Sequence, residues 1–108
     1  MTNARVVFTT VGARGAAAKL AHELVERRLA ACVNIVGPLR SLYRWKDQVQ
    51  NEEEYLLLIK TTGEGAARVR AALTELHPYE LPECIELAVS DGSEAYLAWI
   101  AAEVSSVE

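Results

Sequence analysis

Two long extended segments, Cys32 to Trp45 and Gln48 to Thr61, are separated only by Lys46-Asp47, and this arrangement limits the folds open to the chain. The first carries Cys32-Val33-Asn34-Ile35-Val36 and then Leu39 to Trp45; the second returns through Tyr55-Leu56-Leu57-Leu58-Ile59. β-Branched and aromatic residues of this kind suit a pleated surface, and two residues suffice for a hairpin turn. Each arm of about 14 residues would run ~45 Å at ~3.3 Å per residue. A domain of ~100 residues has a radius of gyration of only ~13 Å. The distal arms, with Leu42, Tyr43, Trp45 and Val49, are therefore expected to project past their own core. A ribbon with apolar side chains and free edges invites pairing, so another chain is expected to cover it. Gly37-Pro38 interrupts the first arm, and a proline without a ladder donor predicts a bulge or an edge position there.

The remaining elements follow from periodicity. Arg5 to Val11 reads as a short buried strand. A helix from about Ala16 to Leu29 gathers Ala17, Leu20, Ala21, Leu24 and Val25 on one face, and Lys19, His22, Glu23, Glu26 and Arg27 on the other. Arg28 falls within the apolar face, so either its stem snorkels or the helix is already ending. Thr61-Thr62-Gly63-Glu64 has the spacing of a capping box with threonine 61 at the cap. The helix it opens stops near His77, because Pro78 disfavours helical geometry before it. Cys84 to Val89 alternates, Ser90 to Ser93 turns, and a last helix to about Val104 carries Tyr96, Leu97, Trp99 and Ile100. The order β-α-β-β-α-β plus a terminal helix predicts an α+β, ferredoxin-like split βαβ domain spanning residues 1–108, with a long β2-β3 hairpin.

Composition narrows the function. The chain is 51% apolar and 24% charged with a formal charge of −4, which is the mix of a folded domain without an electrostatic footprint for nucleic acid. The acidic run Glu52-Glu53-Glu54 reads as a solvated strand start. No stretch reaches the ~18 apolar residues of a membrane span, and no signal peptide is evident. Cys32 and Cys84 are far apart and outside any C-x-x-C pair, which predicts reduced thiols and a cytoplasmic location.

Conventional catalytic signatures are missing: there is no P-loop, no G-x-S-x-G elbow and no H-E-x-x-H helix. The most distinctive segment, His77-Pro78-Tyr79-Glu80-Leu81-Pro82-Glu83, presents an imidazole, a phenol and carboxylates on a stiff connection. Lys60 ends an apolar strand, and Tyr96 and Trp99 read as core or interface anchors that could also stack on a ligand. Metal ligands are sparse: Met1 is the only methionine, the histidines are scattered, and Cys32 fits a small buried hydrophobe as well as a ligand.

Five collinear pieces resemble the CutA divalent-cation tolerance family: Glu26 to Ile35, Ser41-Leu42-Tyr43-Arg44-Trp45, Leu58-Ile59-Lys60-Thr61, His77-Pro78-Tyr79 with Pro82-Glu83, and Tyr96-Leu97-Ala98-Trp99. The resemblance implies a homotrimer assembled through the hairpin, a likeness to PII signalling proteins, and a link to tolerance of copper and other divalent cations. By family pattern Trp45, Lys60, His77, Tyr79, Tyr96 and Trp99 lie near inter-subunit crevices. Some members carry a cysteine on the first strand and a second histidine before His-Pro-Tyr. Here Thr9 and Leu76 stand in those places, so His77 alone remains of that copper set. At the hairpin tip, where glycine is usual, Asp47 tolerates left-handed geometry.

The expectation is a non-enzymatic, trimeric sensing module that binds a metal ion or a small anion, with no obligatory cofactor and copper held weakly. A scaffolding trimer that tethers other proteins is the alternative, and an enzyme using His77 and Lys60 a third. Lys60 and His77 lie at opposite ends of the second helix, ~20 Å apart at 1.5 Å per residue, so one ligand could reach both only across a subunit boundary.

Overall fold

In the computed structural model, which describes residues 2–105, the elements are β1 (Ala4–Val11), α1 (Arg14–Glu26), β2 (Cys32–Trp45), β3 (Gln48–Thr62), α2 (Gly63–Leu76), β4 (Ile85–Ala88) and α3 (Glu94–Glu103). The strands form one antiparallel sheet in the order β2-β3-β1-β4. This is the expected α+β, ferredoxin-like arrangement, with β3 inserted between β1 and β2.

Strand alternation assigns the two faces. Val7, Thr9 and Val11 of β1 and Tyr55, Leu57, Ile59 and Thr61 of β3 point toward the helices and are buried. Ala17, Leu20 and Leu24 of α1 and Ala66, Val69 and Leu73 of α2 close over them to make the core. Full burial of Leu24, Leu57, Ile59 and Leu73 is worth about 1.5–3 kcal/mol each.

Several junctions differ from the sequence expectation by a residue or more. α1 ends at Glu26, before Leu29, and Arg28 takes a left-handed φ of 59°. The N–H groups of Leu29 and Ala30 then both reach the Leu24 carbonyl, which swings the chain off the apolar face. The cap of α2 is Thr62, whose hydroxyl accepts from Gly65 N–H at 3.1 Å; it is not Thr61. Thr61 still pairs with Arg5 in the sheet and donates its hydroxyl to the Leu29 carbonyl at 2.7 Å. β4 is shorter than expected, four residues against six.

The hairpin dominates the shape. The domain measures 44 × 26 × 21 Å, its long axis matching the expected arm length. Lys46 (φ 50°) and Asp47 (φ 67°) make the two-residue tip, both left-handed as a type I′ turn requires. The register shifts between Val36 and Leu39, so the Gly37-Pro38 interruption is a bulge on an edge strand. Gly37 (φ +154°) is required there, since a Cβ would stand 2.7 Å from the Tyr55 ring.

The second sheet face has no helix layer of its own. Register places Val6 and Phe8 of β1, Leu56, Leu58 and Lys60 of β3, Cys32 and Val36 of β2, and Ile85 and Leu87 of β4 together on it. Ile85 is 50% exposed and Leu87 44% exposed, and Leu42 and Val49 further along the hairpin exceed 60%. α3 covers only the Thr62 end, burying Ile100 and Val104 and leaving Tyr96 and Trp99 outside.

Gly65 holds that end together, because a Cβ on it would stand 2.9 Å from Val104 Cγ1 and 3.0 Å from the Leu29 carbonyl. Gly65→Ala is expected to lower stability by about 1–3 kcal/mol despite its better helix propensity. The reading is a lower urea midpoint with an unchanged slope.

Candidate functional site

The open face carries Lys60 at one end and a group of carboxylates at the other. At the basic end Lys60 pairs with Val6 and Cys32, and its Nζ sits 5.8 Å from the centre of the Tyr96 ring. Tyr96 and Trp99 stack at 5.5 Å with ring planes inclined by 34°. Both lie on the outer side of α3 because Ile100 takes its inner position. A lysine held by its stem beside two exposed ring faces can meet an anion and a flat group together.

Glu54, six residues back along β3 and so ~20 Å away, anchors the acidic end. It is only 5% exposed, and its Oε2 accepts from the Tyr79 hydroxyl at 2.6 Å. Glu52, next on the same face, accepts from the Tyr43 hydroxyl at 2.9 Å. Burial first, and the hydrogen bond to Glu54 second, push the Tyr79 phenol well above its ordinary range. The hydrogen bond to Glu52 leads in raising the Tyr43 phenol, and burial leads in raising the Glu83 carboxyl. These groups line a cleft of about 840 Å³ between the hairpin and the 77–83 connection, with Trp45 on its wall.

His77 stands behind this cleft. It is buried; its Nδ1 accepts from the Tyr79 N–H at 3.1 Å, so Nε2 carries the proton and donates to the Thr10 carbonyl at 2.8 Å. Its ring packs edge-on to Tyr79 at 4.7 Å. The imidazole thus positions the phenol. Thr10 lies opposite Leu56, four residues from Lys60 along β3, so Lys60 and His77 are ~13 Å apart along the strand in one chain. The six sequence candidates therefore divide: Lys60, Tyr96 and Trp99 at one end, and Trp45, Tyr79 and the supporting His77 at the other.

A resident metal does not fit these residues. Imidazole binds metal through a free ring lone pair, and both His77 nitrogens are engaged. Burial raises the Cys84 thiol, disfavouring the thiolate a metal needs, and Cys32 lies beside Lys60 on the sheet. Among the described residues no three His, Cys, Asp or Glu side chains come together to hold an ion. Thr9 points into the core with its hydroxyl unpartnered; Met1 lies outside the described residues.

The model of the CutA1 divalent ion tolerance protein family matches residues 5–103. The chain belongs to this family. It is 44% identical to the divalent-cation tolerance protein CutA of Thermus thermophilus over 95 residues, 88% of this chain and 92% of that one. The CutA protein of Pectobacterium atrosepticum is 36% identical over 104 residues, covering 96% and 94%. A solved CutA1 structure from Oryza sativa superposes with a TM-score of 0.94 at 34% identity, covering 98% of this chain and 97% of the other. The chain spans about half the length of some eukaryotic relatives, 52% of the chloroplastic CutA of Arabidopsis thaliana among them. No helix among the described residues is long and apolar enough to cross a membrane.

Sequence reasoning missed Glu54. The acidic run read as solvated, whereas only Glu52 and Glu53 are exposed. Period-two alternation could have found it, since Glu54 is in phase with Leu56 and Leu58. Tyr79→Phe is expected to cost about 1–3 kcal/mol, because it leaves a buried carboxylate without its donor. The folded protein holds the Tyr79 proton more tightly than an unfolded phenol of pKa ~10. The contribution of Tyr79 to stability is therefore fully present below pH ~10 and is lost as pH rises beyond it. Denaturant titrations at increasing pH should show Tyr79→Phe losing part of that alkaline decline, with Tyr43 supplying some of the rest.

Proposed function

We propose that this CutA protein is a non-catalytic homotrimeric sensing module that binds a small anion at Lys60, in a crevice completed by a neighbouring subunit. The observation that carries the reading is the open sheet face itself. It is apolar at its centre, lies on a hairpin that outruns its own core, and ends in a lysine on one side and carboxylates on the other. A face of this kind suits head-to-tail association, in which one copy's basic end approaches the next copy's acidic end and the ring closes. The site needs that neighbour, because Tyr96 and Trp99 wall Lys60 on one side only.

Tolerance to divalent cations, the property in the name of its relatives, would then come from signalling and not from storage. Any copper(II) bound by one chain would be weak, since His77 must break a hydrogen bond to offer a lone pair. The reading takes the compartment to be the cytoplasm, where the free Cys32 and Cys84 stay reduced. A relative from Archaeoglobus fulgidus is described as periplasmic, so location is a property to measure in each member.

Sedimentation is expected to give a trimer at micromolar concentration; a monomer there overturns the assembly. In a thermal-shift series with phosphate, citrate and nucleotides, a bound anion raises the melting temperature by mass action. Lys60→Ala should abolish that rise while still sedimenting as a trimer. An unchanged rise in the variant places the anion elsewhere.

A further inference from the structure

The surroundings of Lys60 restrict what kind of anion it can take. Register sets Cys32, Val6 and Leu87 in a row with it across the sheet, and of these four side chains Lys60 alone is cationic. Helix α3, which walls it, carries no lysine or arginine. Among the described residues Lys60 makes no ion pair, whereas Arg5, Arg27, Arg28 and Arg70 all do. One uncompensated positive charge therefore stands beside two open rings. Tyr96 and Trp99 are each 42% exposed, although Ile100, next along α3, is buried. Rings of that size gain most from a partner that is itself apolar and flat.

We propose that the Lys60 crevice selects a monoanion carrying one flat aromatic ring, an aromatic carboxylate by class. This rests on the anion site at Lys60 and adds what the anion must be attached to. The Tyr96 and Trp99 ring centres are 5.5 Å apart, whereas a third ring between them needs ~7 Å, twice a carbon contact distance. The ligand ring therefore lies on the outer face of Trp99. Its carboxylate meets the ammonium of Lys60, which stands 5.8 Å from the Tyr96 ring centre. A single lysine matches a single negative charge, and a second charge on the ligand would find no counterpart on this row or on α3. Because α3 already covers this end of the sheet, a neighbour laid along the open face meets the helix as a wall, and the ligand fills the angle between them.

The full-length protein in its native assembly is to be titrated calorimetrically with indole-3-acetate, cyclohexylacetate, tryptophol and adenosine monophosphate. Indole-3-acetate is expected to bind saturably, about tenfold or more tighter than cyclohexylacetate, which keeps the charge and loses the flat ring. Tryptophol, flat but neutral, and the doubly charged nucleotide should both bind more weakly than indole-3-acetate. Trp99→Leu should bring indole-3-acetate down to the level of cyclohexylacetate, and Trp99→Phe should restore most of the difference. Sedimentation checks each variant; if Trp99→Leu does not assemble, the ligand series on the parent decides. Indole-3-acetate no tighter than cyclohexylacetate, weaker than the nucleotide, or undiminished in assembled Trp99→Leu overturns the aromatic preference, and the anion site stands if Lys60→Ala still loses these ligands. Indole-3-acetate binding unchanged in assembled Lys60→Ala overturns the anion site as well. No saturable heat from any of the four, or a crystal of the assembly with a neighbour's side chain seated on the outer face of Trp99, overturns the proposal too.

Discussion

The alternation of β3 is the constraint from which the rest follows. Tyr55, Leu57, Ile59 and Thr61 are committed to the helix-covered core, so Glu54, Leu56, Leu58 and Lys60 must emerge on the opposite face. A slip of one residue would send every one of these side chains to the wrong side. The bulge between Val36 and Leu39 absorbs the local mismatch with β2, and Gly37 permits it because a side chain would strike Tyr55. One strand thus fixes the core of the subunit and, by the same register, an apolar face bounded by a carboxylate and a lysine.

Most of this architecture was legible because it depends on periodicity. The hairpin, its tip at Lys46-Asp47, the interruption at Gly37-Pro38 and the element order all correspond to patterns of two or 3.6 residues, or to missing backbone donors. Junctions were less legible because they depend on tertiary hydrogen bonds. Whether Thr61 or Thr62 caps α2 depends on the Leu29 carbonyl, which is remote in sequence and draws the Thr61 hydroxyl away. The extent of α1 likewise turns on Leu24 accepting two later N–H groups. At the site, residue types were legible and their grouping was not. Nothing in the spacing of Glu54 and Tyr79 shows that a phenol on the 77–83 connection reaches a carboxylate on β3.

The basic and acidic ends obey different physics. Lys60 is partly exposed, so its charge is solvated and available to a ligand at little cost. Glu54 is buried with a neutral donor, and a carboxylate in that setting keeps much of its desolvation penalty.

That burial traces back to the edge of the sheet. β4 pairs with β1 only from Arg5 to Phe8, leaving Thr9 to Val11 paired with β3 on one side and without a strand on the other. A carbonyl left bare there would lack a partner, and the Thr10 carbonyl is instead met by His77 Nε2. A side chain thus does the work of a missing strand. In doing so it brings Pro78 and Tyr79 across the end of β1, close enough to Gly12 that a Cβ there would stand 3.1 Å from the Tyr79 hydroxyl. The phenol can then reach Glu54 and close it off from water. The shortness of β4, the imidazole at the sheet edge and the buried carboxylate are therefore one linked device. The same histidine that resembles a metal ligand in the sequence serves here as the sheet's substitute donor and holds the wall of the cleft in place.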